Sequence, residues 1–270
     1  MIEYGRKLTV LHGEYFSDDL RLVITGDGYS EVELAQFRSD ADRAVQTILG
    51  TPPFGRVPIC IARIDMASKE SSAYRSSALG GVKTYFGSHF DKYNPHLLHV
   101  NKDRVMATVR AALPAHWHEH KILVLVNTPE VFGGGGMFLP SSDRGASGIA
   151  AASNANRSET LMHELGHAFG LADESPSSPI MGHAPPNVAT SLDDLPEFWK
   201  ARLTPHVALP TRGSDRDVVG VFQAHVGPAH YRPQYSCIMK TASSLDRYCK
   251  VCLDWIEASV MAKSLEQKAA

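Results

Sequence analysis

His163, Glu164, His167 and Asp173 stand together in the stretch HELGHAFGLADE. On a helix, residues four apart lie one turn apart on the same face, so the two imidazoles point together and can grip one metal ion. Glu164 then falls beside the metal, where it can take a proton from activated water. Gly170 can end the helix and reverse the chain, returning Asp173 to the imidazoles as a third ligand. Two nitrogens and one carboxylate leave a fourth position open, the arrangement of a catalytic zinc site. A plain core helix would use Leu161, Leu165 and Phe169 for packing and leave both histidines idle, but it gives Gly170 and Asp173 no role.

The rest of the chain must build a scaffold for that helix. It has 270 residues and a formal net charge of -2, enough for one large domain or two joined halves. Near-neutral charge without basic runs argues against nucleic-acid binding, and no apolar stretch reaches membrane-span length. The N-terminus lacks the basic-then-apolar layout of a secretory signal, which leaves localisation open between a signal-independent route and a trimmed mature form. Leu20–Thr25, VPICIARID and KILVLVN read as buried strands. A helix opens on the Ser30/Glu33 capping box and ends at Gly50, and a second covers NKDRVMATVRAAL. This alternation predicts an α/β fold with a mixed, mostly parallel sheet covered by helices. GIAAASN adds a strand, and Ser158 is the expected cap of the motif helix. DDLPEFWKARL and VCLDWIEASVMAKSLEQ are the helical parts of an otherwise irregular tail. The expected division is a subdomain over 1–172 that carries the motif helix and a smaller C-terminal subdomain over 173–270 that carries the third ligand.

Other clusters compete. His116, His118 and His120 could share one strand face, but they lack a glycine turn and an acid, and read as a solvated strand end. Cys237, Cys249 and Cys252 could form a zinc knuckle with a histidine or stay free. A disulfide from Cys237 to Cys249 or Cys252 is the preferred use. Asp27 and Tyr29 end a strand and could be either functional or a plain turn.

The pattern H-E-x-x-H-x-x-G-x-x-(H/D) resembles that of the metzincin metalloproteases. The further marks LVITGDGYS, SKES, LVLVN…GGGG, HELGHAFGLADE, PPNV and YRPQYSCIM…YCKVC are similar to the M64 family of metallopeptidases, named for IgA cleavage. The resemblance spans Leu20 to Cys252. It implies a metzincin-like fold, zinc, a polypeptide substrate and endopeptidase activity. His163, His167 and Asp173 become ligands, and Glu164 the general base. Ser175, Gln223 and Ala224 depart from the family pattern without touching a ligand, so they bear on substrate preference. The resemblance also places an edge strand at the glycine run, making Gly135, Gly136 and Met137 substrate-binding candidates. It calls for a methionine beneath the metal: Met239, anchored by Cys237, is preferred over Met181. Tyr231, Tyr235 and His230 are candidates for stabilising an oxyanion. Two other readings are compatible with the sequence: a hydrolase of cell-wall peptides, and a non-catalytic zinc-containing binding module, which would have no use for Glu164.

Overall fold

The computed structural model describes residues 8–14, 20–73, 83–113, 120–130, 133–139, 147–174, 185–224, 230–240 and 247–267. The elements in chain order are β1 (Leu8–His12), β2 (Leu20–Asp27), α1 (Leu34–Gly50), β3 (Ile59–Ile64), β4 (His89–Phe90) and β5 (Leu98–His99). There follow α2 (Lys102–Ala112), β6 (Lys121–Val126), β7 (Gly134–Leu139), β8 (Ser147–Ser153) and α3 (Ser158–Ala168). The C-terminal part holds α4 (Glu197–Lys200), β9 (Phe222–Gln223), β10 (Tyr231–Arg232) and α5 (Lys250–Gln267).

Six strands form one sheet in the order β1-β3-β2-β6-β8-β7. The inner pairs β3–β2, β2–β6 and β6–β8 are parallel, and the edges β1 and β7 are antiparallel. β3, β6 and β8 are buried at every position, as parallel strands covered on both faces must be. Alternate residues feed two cores. Leu22, Ile24, Leu123, Leu125, Ala150 and Ala152 face α1, α3 and α5, whereas Val23, Ile122, Val124, Ile149 and Ala151 face α2. The expected α/β architecture with a mostly parallel sheet is therefore present, followed by a smaller C-terminal part ending in α5. Trp199, Val221, Ile238 and Ile256 from that part enter the same apolar core as α1 and α3.

Local chemistry sets the boundaries. The Ser30 N–H donates to the Glu33 carboxylate at 2.7 Å, closing the expected cap ahead of α1. α3 begins at Ser158, so Arg157 and not Ser158 holds the capping position. The helix expected in DDLPEFWKARL shrinks to the single turn α4. Ser191 Oγ donates to Asp194 Oδ2 at 2.8 Å and accepts from Asp194 N at 3.1 Å, holding the preceding residues in a turn. Pro196 then holds the capping position, and the helix starts at Glu197.

Candidate metal centre

α3 lies on the sheet where side chains are smallest. A Cβ added to Gly148 of β8 would meet the Ala168 carbonyl oxygen at 2.1 Å. In β7, a Cβ on Gly134 would sit 2.3 Å from Glu164 Oε1, and one on Gly136 would sit 2.4 Å from His167 Cβ. The glycine run thus lets an edge strand press against the motif helix, one role the sequence did not reveal. Behind the helix, Tyr248 donates its hydroxyl to the Met162 carbonyl, and Trp255 Nε1 donates to the Phe169 carbonyl at 2.9 Å.

Gly170 ends the helix with φ +85°, a conformation that favours glycine. Gly170 N donates to His167 O at 2.9 Å and Leu171 N to Gly166 O at 3.2 Å. The reversal brings Asp173 Oδ1 to 3.0 Å from His163 Nε2 and 3.5 Å from His167 Nε2. The two Nε2 atoms lie 3.2 Å apart. Ligands about 2.0–2.1 Å from a tetrahedral zinc stand about 3.3 Å from one another, so these three atoms have the spacing of a zinc coordination shell. His163 Nδ1 donates to the Ile238 carbonyl and His167 Nδ1 to the Leu171 carbonyl, each at 2.9 Å. Carbonyls only accept, so both rings hold a proton on Nδ1 and turn Nε2 toward the shared point, as metal-bound imidazoles do. The residues fit a zinc ion.

Charge within the cluster is strongly coupled. Burial favours a neutral His167, but the hydrogen bond to Asp173 and the Glu164 and Asp173 charges outweigh it, pushing its pKa up to about 9. His163 is raised by the same balance of burial against Asp173 and Glu164. Asp173 is held far below the usual carboxylate range; burial opposes this, but hydrogen bonds from both imidazoles prevail. Desolvation raises Glu164, against the pull of the two histidines.

The other sequence candidates fall in several places. Met239 is buried, and a Cβ on Gly166 would meet its Sδ at 2.4 Å, so the thioether lies against α3 at Gly166. Met181 and Ser175, like His116 and His118, are outside the described residues. His120 is buried immediately before β6. Gly135, Gly136 and Met137 lie in β7, with Gly135 turned toward the Leu98 backbone and Gly136 toward α3.

Ser153 N donates to Gly133 O, which makes 133 and 153 a hydrogen-bonded pair; by alternation Gly135 and Met137 bond inward to β8. The N–H of Gly134 and Gly136 point the other way, and that of Gly134 reaches His96 O at 3.1 Å. Asp27 has a structural use, accepting from Phe86 N and Ser88 N at 2.9 and 3.0 Å and from Ser68 Oγ at 3.0 Å. The Tyr29 hydroxyl donates to Asp40 at 2.7 Å. Tyr231 exchanges backbone bonds with Ala189, Tyr235 meets Phe222 edge-on, and His230 is buried.

The disulfide expected at Cys237 is not formed. Cys237, Cys249 and Cys252 are all free thiols, and Cys237 Sγ is 3.8 Å from Cys252 Sγ, against about 2.05 Å for a bond. They surround Glu174, which no sequence argument had singled out. Its position immediately after Asp173, with two cysteines spaced C-x-x-C later in the chain, was the available signal.

Two imidazoles and a carboxylate, with a glutamate beside them, form a candidate metal site on this α/β scaffold. Residues 10–224 match the model of the family described as IgA Peptidase M64, and the chain belongs to this family of zinc metallopeptidases. No curated protein matches the chain. Among solved structures it is similar to the crystal structure of metalloproteinase-II from Bacteroides fragilis. That match covers 67% of this chain and 52% of that one at 13% identity, with a TM-score of 0.31, so the chain spans about half of that protein's length. No helix among the described residues is long and apolar enough to cross a membrane.

Proposed function

We propose that the protein is a zinc-dependent endopeptidase in which His163, His167 and Asp173 hold the metal and Glu164 is the general base. The observation that carries this reading is the convergence of three ligand atoms at 3.0, 3.2 and 3.5 Å, with both Nδ1 atoms committed to carbonyls. Zinc held there would supply Lewis acidity toward a scissile carbonyl and a bound water.

Glu164 supplies the proton traffic. Its carboxylate removes a proton from the attacking water, and desolvation, which raises its proton affinity, suits it to hold that proton and deliver it to the leaving amine. Met239 fills the space beneath α3 as an adaptable apolar support. An extended polypeptide substrate would lie along β7, the sheet edge that passes Glu164 and His167, with backbone recognition through the outward face of Gly136.

The test is casein hydrolysis before and after a zinc chelator. Cleavage that a chelator abolishes and stoichiometric zinc restores supports the reading. Cleavage indifferent to the chelator rules out a zinc peptidase, and a zinc-loaded protein that never cleaves protein substrates points to cell-wall peptides or to a binding module.

A further inference from the structure

Glu174, Cys237, Cys249 and Cys252 converge behind the imidazole cluster, with one ligating atom from each within 4.8 Å of the others. We propose that these four residues bind a second zinc ion in a closed, structural site.

Distances support it first. Four ligands on a tetrahedral zinc, with Zn–S bonds of about 2.3 Å, place two sulfurs about 3.8 Å apart and a sulfur and an oxygen about 3.6 Å apart. Cys237 and Cys252 Sγ are separated by 3.8 Å. Glu174 Oε1 lies 3.2 Å from Cys252 Sγ and 3.5 Å from Cys249 Sγ.

Burial supports it next. Glu174, Cys237 and Cys252 are 0% exposed and Cys249 4%. Among the described residues, Glu174 Oε2 has no hydrogen-bond partner. A carboxylate sealed among three thiols is costly unless a cation compensates it.

The backbone around Cys237 is arranged for a thiolate. Met239 N and Cys249 N both donate to Cys237 Sγ, at 3.4 and 3.2 Å. A neutral thiol is a weak acceptor, and such second-shell N–H groups orient and stabilise metal-bound sulfur. Cys249 and Cys252 flank the start of α5, whose N-terminal dipole also favours thiolates. On binding, a hydrated divalent zinc exchanges its waters for the four protein ligands, and the three thiols release their protons to solvent. Three thiolates and a carboxylate leave an excess of negative charge. Arg232, 1% exposed and interacting with Glu174 and Cys237, offsets part of it. With four protein ligands no position remains for substrate, so the ion is structural.

The site would brace the first one, a consequence that rests on reading Asp173 as a zinc ligand. Glu174 follows Asp173 and donates its N–H to the Met239 carbonyl at 2.8 Å. Ile238, whose carbonyl orients His163, lies between Cys237 and Met239. One ion would therefore tie together the segments that carry Asp173, Met239 and the His163 partner.

Elemental analysis of the full chain should give two zinc ions per molecule, falling to one in His163→Ala/His167→Ala. Cobalt loaded into that double variant should show thiolate-to-cobalt charge-transfer absorption, which a site of two histidines and one aspartate has no sulfur to produce. Cys249→Ser, which removes one of the three thiolates, should weaken the band. If that variant fails to fold, thiol titration of the wild type decides: all four cysteines should react in denaturant with chelator and without reductant. A double variant that holds no metal, cobalt bound without the band, or only two reactive thiols, meaning a disulfide, would each overturn the proposal. Two zinc ions with no peptidase activity would leave this site standing and defeat only the catalytic reading.

Discussion

Replacing Gly134 with alanine should remove activity while leaving the metal in place. The new methyl would lie 2.3, 2.4 and 2.5 Å from Glu164 Oε1, Cγ and Cδ, where ordinary contact begins at 3.4 Å. The obstacle is the end of a flexible side chain, so the least costly response is for the carboxylate to retreat by about 1 Å, a misplacement that can cost about 100-fold in rate. That corresponds to about 3 kcal/mol of barrier. Casein turnover, zinc content and thermal unfolding measured on one preparation test it. Gly136→Ala provides the contrast. Its methyl would meet His167 Cβ at 2.4 Å and the Glu164 carbonyl at 2.5 Å, neither able to swing aside, so overpacking of about 1–3 kcal/mol should lower the unfolding temperature as well. Gly50→Ala, with nothing within 4 Å of the added atom, should leave activity unchanged. A Gly134→Ala enzyme with wild-type turnover would refute the claim that β7 fixes Glu164 for catalysis.

Three further outcomes follow from the same geometry. His163→Ala alone should lose the catalytic zinc, read as one ion fewer by elemental analysis, and full occupancy would show the ligand set to be wrong. Met137→Pro should destabilise the fold, because the lost N–H bonds inward to β8 and leaves a buried carbonyl unpaired, at a cost of about 1–3 kcal/mol; an unchanged unfolding temperature would show the ladder register to be otherwise. In the metal-free protein His167 is raised to about 9, so it keeps its proton below that pH and zinc must displace it. Zinc affinity, measured by chelator competition, should therefore fall about tenfold per pH unit, going down from pH 9, for each proton displaced; a pH-independent affinity between pH 7 and 9 would show that the ring is already neutral.

Much of this arrangement is legible in the chain because it depends on local pattern. Unbroken apolar runs announce β3 and β6, and helical periodicity with Glu33 and Gly50 delimits α1. The spacing of His163 and His167, with glycine at 170, anticipates a shared metal-facing side. What was hidden depends on register and long-range closure. Which glycines of the run face α3, and which N–H groups face outward, follows only from the pairing of β7 with β8. The short α4 reflects a side-chain turn at Ser191 and Asp194 that competes with helix. Glu174 meets the C-terminal cysteines only because the chain reverses at Gly170 and α5 packs behind α3.

The most direct test of the central claim is turnover by Glu164→Gln at zinc occupancy matched to the wild type. The amide keeps the size of the side chain and cannot accept the proton. Casein hydrolysis should fall by at least about 100-fold while the zinc content stays unchanged. Wild-type turnover in a fully zinc-loaded Glu164→Gln protein would contradict the account.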